Sequence, residues 1–256
     1  MFRFYTPIIL FVALSFGCKP ALGEDFRVDN AVYTGDQKEP TSRSVTIFHQ
    51  GVVYDSMQAP AETVVFDTAA KKFVLLNMTN QTRAERTTAD VAAFVDRFEQ
   101  RLRSMIAKNP DPLIEFLADP KFRDQYDEPS GELTLSSPLV TYRLVLLTKE
   151  SETAVGQYRE FSDWYVRLNT LLTPGALPPF GRLAVNAQIA DRKAIASQVV
   201  LTMSSPKSGR RRTIRSTHEV VHRLAQVDLD RVAQIRKSMG DFKPVDFEQY
   251  RKSEAK

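Results

Sequence analysis

From Phe26 to about Arg86 the chain never goes much beyond ten residues without a turn signal. That spacing constrains the fold more than any other feature. "FRVDNAVY" carries Phe26 and Val28 on one face and, after Asn30, Val32. "SVTIFHQGVVYD" is two runs broken at Gln50-Gly51. "ETVVFDTAAKKFVLLN" is two more, turning near Asp67 to Lys71, and Thr82 to Arg86 is a short polar run suited to an edge. Parallel strands need crossovers of a dozen or more residues, for which this spacing leaves no room. The residues are rich in Val, Phe, Tyr and Thr, which suit a pleated, half-buried surface. The expectation is an antiparallel meander.

Val53-Tyr54-Asp55 and Val65-Phe66-Asp67 repeat twelve residues apart. Each Asp is read as the start of a turn, where its side chain can accept from nearby backbone amides, with a catalytic pair of carboxylates as the alternative that nothing in the spacing demands.

A helix follows. Thr87 is its expected cap, with Asp90 closing a capping box. Val91, Phe94, Val95, Phe98, Leu102, Met105 and Ile106 then fall on one stripe, and Asn109-Pro110 ends it. Pro110 to Gly131 holds four prolines and reads as a loop with one helical turn, "PLIEFL". Strands resume with "ELTLSS" and "LVTYRLVLL". A second helix spans Glu152 to Leu172 with a broad aromatic stripe that includes Tyr158, Phe161, Trp164 and Tyr165. That stripe either packs a core or lines a cavity for an apolar ligand. A shorter helix spans Pro179 to Asp191, "SQVVLTM" is a strand, and a last helix starts at Asp228. Strands grouped with strands, and helices between groups, give an α+β class: a curved antiparallel β-meander sheet packed against several amphipathic helices. The expected organisation is a signal peptide at 1–23, one α+β domain at 24–241, and a C-terminal tail at 242–256 anchored by Phe242, Phe247 and Tyr250.

The leader rests on Arg3, the apolar run Tyr5 to Phe16, and Ala21 and Gly23 as small residues before cleavage. Export to a periplasm or the exterior is the expectation. A lipid anchor through Cys18 is the rival, although Phe16 is bulky for a lipoprotein signal. No later stretch approaches the roughly 18 apolar residues of a membrane span. Loss of Arg3 and Lys19 lowers the net charge from +4 to +2, which favours neither a nucleic-acid nor an acidic-membrane partner. No Gly-rich phosphate loop is present. One basic run remains, Arg210-Arg211-Arg212. It reads as a solvated hairpin tip or a contact for an anion or phospholipid headgroup.

Only His218-Glu219-Val220-Val221-His222 names a chemistry, by matching H-E-x-x-H. On a helix, His218 and His222 would share a face and could bind zinc, with Glu219 as general base. Asp228, ten residues after His218, stands where a third ligand could follow. Ala225, however, occupies the place where related patterns put a glycine, and Asp228 suits the N-cap of the last helix. The local pattern also has period two: Ile214, Ser216, His218, Val220, His222 and Leu224 on one face, with Glu219 on the other. A strand over 213–224, paired with "SQVVLTM" across Ser208-Gly209, is therefore expected. No catalytic or metal-binding residue is assigned. The alternative is a zinc-dependent metalloprotease with ligands His218, His222 and Asp228 and base Glu219.

"TIFHQGVVYD", "ETVVFDTAAKKFVLL", "LPPFGRLAVN" and "IRSTHEVVHRL" resemble uncharacterised exported bacterial proteins. More loosely, the plan is similar to the half-barrels of periplasmic lipoprotein carriers of the Lol type, although those usually open with a helix and the expected mature chain here opens with strands. That resemblance implies a concave sheet that accepts acyl chains. The expected function is an exported, non-enzymatic protein that binds an apolar or lipid ligand, or an envelope protein partner, on a curved sheet.

Overall fold

A computed structural model describes residues 23–173, 175–204 and 209–254. The leader and Cys18 lie outside them, as does Ser208 of the expected hairpin turn. Strands β1 (Phe26–Thr34), β2 (Ser42–His49), β3 (Val52–Met57), β4 (Glu62–Asp67), β5 (Lys72–Asn77) and β6 (Thr82–Thr87) step outward as a meander. Helices α1 (Thr88–Lys108) and α2 (Pro112–Ala118) return the chain to the opposite edge. There β7 (Arg123–Asp127), β8 (Glu132–Ser136) and β9 (Val140–Leu147) step back inward. Helices α3 (Glu152–Leu172) and α4 (Phe180–Asp191) intervene before β10 (Ile195–Ser204) and β11 (Arg211–Val221). Helix α5 (Gln226–Asp241), β12 (Lys243–Pro244) and α6 (Phe247–Glu254) complete the order.

The result is one open, curved sheet in the order β12-β6-β5-β4-β3-β2-β1-β11-β10-β9-β8-β7. Every pairing is antiparallel except the short β12–β6 pair. Two meanders thus join at the centre, where β1 pairs with β11 from Arg27↔Val221 to Thr34↔Ile214. This is the α+β meander that the strand spacing predicts.

Turn chemistry explains the register. Gln50 and Gly51 both have positive φ, at 54° and 75°, as a two-residue hairpin loop demands. Asp67 accepts from the Ala70 amide at 2.8 Å, and Asn77 accepts from the Asn80 amide at 2.8 Å. Asp67 is therefore the turn residue expected of it. Asp55 is not: it lies inside β3 and is 5% exposed.

The inner face of the sheet carries α1, α3, α4 and α6. Phe26, Phe48, Phe66, Phe73 and Leu75 pack there with Val91, Phe161, Leu168, Phe247 and Tyr250. On the second half of the same face, Leu133, Leu135 and Leu144 pack with Val185 and Ile189 of α4. The outer face of the first half carries α5, where Val232 and Ile235 meet Ile47, Tyr54, Val65 and Val74.

Three local expectations change. Arg123–Asp127 is a strand rather than loop, paired with β8 from Arg123↔Ser136 to Asp127↔Glu132. It is an exposed edge strand, so it lacks the apolar alternation that would reveal it. The last helix starts at Gln226, with Ala225 as its N-cap. Asp228 is then the third helical residue. It accepts from the Ala225 amide at 2.9 Å and pairs with Arg27 on β1 at 2.9 Å. The stripe along α1 is buried at Val91 and Val95, whereas Met105 is 51% exposed.

Candidate functional site

Four neighbouring strands place a row of polar side chains on the inner face. Asp55 on β3 stands opposite Thr46 on β2, and Asn30 on β1 stands opposite His218 on β11. The Thr46 hydroxyl donates to Asp55 Oδ1 at 2.7 Å. Asn30 Nδ2 donates to Thr46 Oγ1 at 2.9 Å and to Ser44 Oγ at 3.2 Å. That leaves Asn30 Oδ1 to accept from His218 Nδ1 at 2.9 Å. The other ring nitrogen, Nε2, accepts from the Ser216 hydroxyl at 3.0 Å. A neutral imidazole with its proton on Nδ1 satisfies every one of these contacts.

Helix α3 roofs the row. Tyr158 reaches His218 Nδ1 at 3.2 Å, and Phe161 packs edge-on against Phe48 with ring centroids 5.8 Å apart. Helix α4 contributes Arg182. Between roof and floor lies a chamber of about 310 Å³. Burial pushes the Asp55 carboxyl up, against hydrogen bonds from Thr46, Ser44 and Tyr165 that pull it down. Burial, with Asp55 beside it, holds the Tyr165 hydroxyl well above the usual tyrosine range. Burial and the charge of Arg182 lower His218 from 6.5 to about 3.

The sign of the His218 shift sets a pH dependence. The unfolded chain takes up a proton below pH 6.5, while the folded chain resists until about pH 3. Stability is therefore full above pH 6.5 and falls as pH drops, at no more than about 1.4 kcal/mol per pH unit. The chamber lets water approach the ring, so the slope is expected below that ceiling. Urea titrations at pH 7 and pH 5 should show a loss that His218→Gln reduces. An equal loss in the variant would place the acid sensitivity elsewhere.

A second cavity lies on the other half of the inner face, between α2, the start of β9 and the end of β10. It measures about 420 Å³. Phe116, Phe122, Leu139, Val140 and Met203 supply apolar wall, with Tyr142 beneath. The aromatics brace one another: Phe116 meets Phe122 edge-on at 5.4 Å, and Phe122 meets Tyr142 edge-on at 5.8 Å. Leu113 and Leu177, each 41% exposed, stand at this cavity. The basic run Arg210-Arg211-Arg212 lines the same opening, fully on the exposed side.

The zinc arrangement is not assembled. His218 and Glu219 lie on a strand, so Glu219 points to the opposite face and is exposed. His222 follows the strand and pairs with Glu150 at 3.5 Å. Asp228 is committed to Arg27 on the outer face. Among the described residues, no three His, Cys, Asp or Glu side chains group closely enough to hold a metal ion. His49, without an evident partner in the sequence, bonds Asp25 at 2.7 Å.

Sequence reasoning reached His218 only through the H-E-x-x-H match, read Asp55 as a turn residue, and passed over Asn30 and Arg182. A signal existed for two of them. Asn30 follows Phe26 and Val28 on the inward face, and Asp55 follows Val53, so each is a polar residue at a position that period two assigns to the core. No helix among the described residues is long and apolar enough to cross a membrane. Compared with known proteins, the chain matches no protein-family model and no curated protein.

Proposed function

We propose that this is an exported binding protein for an amphipathic anion, an acyl chain bearing a negatively charged headgroup, held in the cavity between α2 and β9–β10. The leader-like sequence of 1–23 supports the export part of the reading. The carrying observation is the pairing of an apolar, aromatic-walled cavity of about 420 Å³ with arginines at its opening. Apolar walls with a few convergent polar groups are what a pre-formed ligand site requires. Among the described residues, Arg211 and Arg212 form no salt bridge with the protein's own carboxylates. They are therefore free to meet a carboxylate or phosphate headgroup bidentately. The expectation of an apolar cavity under α3 moves with this reading: the chamber there is floored by polar side chains, and the apolar space lies beyond α4.

The test is calorimetric titration with octanoate, decanoate and dodecanoate, using dodecyltrimethylammonium as the cationic control. Each added pair of methylenes should tighten binding about tenfold until the cavity is full. The cation should bind at least tenfold more weakly. Arg211→Glu with Arg212→Glu should erase that discrimination, and Leu139→Glu, which puts a carboxylate into the wall, should abolish binding. Equal affinity for anion and cation, or no dependence on chain length, would sink the reading.

A further inference from the structure

We propose that the chamber beneath α3 is a second, separate ligand site, which takes a small hydroxylated carboxylate through Arg182. Three features carry this. First, the chamber is lined by hydrogen-bonding side chains drawn from five elements, β1, β2, β3, β11 and α3, with Arg182 arriving from a sixth, α4. A plain core would fill such a space with apolar side chains at close-packed density.

Second, the row on the floor is satisfied internally and so is rigid. Asp55, Thr46, Asn30, His218 and Ser216 are tied end to end by contacts of 2.7 to 3.0 Å. These groups cannot collapse to close the space, and what they have left to offer a ligand is acceptor lone pairs. Neutral hydroxyl, amide and imidazole groups of this kind recognise hydroxyls on a ligand.

Third, Arg182 is half-buried and, among the described residues, makes no hydrogen bond and no salt bridge. Its charge is felt by His218, Tyr158 and Tyr142. A guanidinium at the wall of a semi-enclosed cavity without a counter-charge is costly unless an anion completes it. Among the described residues it is the only fixed cation lining the chamber, and the Asp55 carboxyl faces the same space. One cation and a nearby carboxyl suit a monoanionic carboxylate and disfavour a dianionic phosphate monoester. A volume of about 310 Å³ suits a compact ligand.

The site stands independently of the amphiphile cavity, because none of the residues lining one lines the other. The experiment titrates the purified protein with glycerate and gluconate by calorimetry. Glycerol and glucose serve as uncharged controls, and glycerol phosphate as the dianion. Imidazole resonances are followed by NMR; the chain has three histidines, and only His218 lines the chamber. At least one carboxylate should bind with a Kd of about 1 mM or tighter. It should shift the His218 signals and leave those of His49 and His222 in place. Arg182→Gln should weaken it at least tenfold, with the ligand-free thermal midpoint no lower than the parent's and dodecanoate still bound. The proposal is overturned if neither carboxylate moves the His218 signals, if the uncharged controls or glycerol phosphate bind as well, or if Arg182→Gln binds like the parent.

Discussion

Asp228→Ala is expected to destabilise the protein by roughly 3 kcal/mol, near the lower end of the range for breaking a buried ion pair. Asp228 is 2% exposed, and its carboxylate does two jobs. It pairs with Arg27 at 2.9 Å and accepts from the Ala225 amide at 2.9 Å at the first turn of α5. Removing it strands a guanidinium between the sheet and the helix and leaves that amide unbonded. The Arg27 side chain is 23% exposed and keeps Asp29 at 3.0 Å, so water and a second carboxylate soften the loss. Asp228→Asn retains an acceptor for the Ala225 amide and should fall between parent and Ala. The double variant Arg27→Met with Asp228→Leu should regain much of the loss, because an apolar pair needs no desolvated charge. Urea unfolding followed through the single tryptophan, Trp164 on α3, measures all three. An Asp228→Ala midpoint indistinguishable from the parent's would mean that α5 is held by its apolar face alone.

Phe48→Ala should cost about 3–5 kcal/mol. The ring is fully buried, stacks on Phe26 with centroids 4.1 Å apart, and meets Phe161 of α3 edge-on at 5.8 Å. It is the point where the centre of the sheet grips the helix that roofs the polar chamber. The cavity left by Ala would lie beneath α3, so the loss should appear both in the unfolding midpoint and as faster amide exchange along Glu152–Leu172. Phe48→Leu keeps most of the volume and should cost about 1.5 kcal/mol or less. If Ala and Leu proved equally mild, the α3–sheet contact would not depend on this ring.

These sites show how far local pattern reaches. The strands β1 to β6 were legible because each has its own period-two signal and a turn residue at its end, and α3 was legible because its aromatic stripe repeats at helical spacing. Edge strand β7 was not, because an exposed strand needs no apolar alternation and its pairing with β8 is the only thing that makes it a strand. The match to H-E-x-x-H carries its own local counter-signal: period two turns Glu219 away from both histidines, and the strand Arg211–Val221 places it so.

What the linear chain determined by itself was therefore the α+β class, most element boundaries, and the inward face of each strand, because those follow from spacing and side-chain type within about ten residues. Tertiary structure alone decided that β1 pairs with β11, nearly two hundred residues apart in sequence. That single pairing sets Asn30 against His218, and the neighbouring strands extend the row to Thr46 and Asp55. It also separated the arginine run and the α2 apolar face from the chamber and set them at one opening. Pairings between distant strands carry no local signature: the backbone hydrogen bonds that make them are the same for every residue, so only the packed fold selects which strands meet.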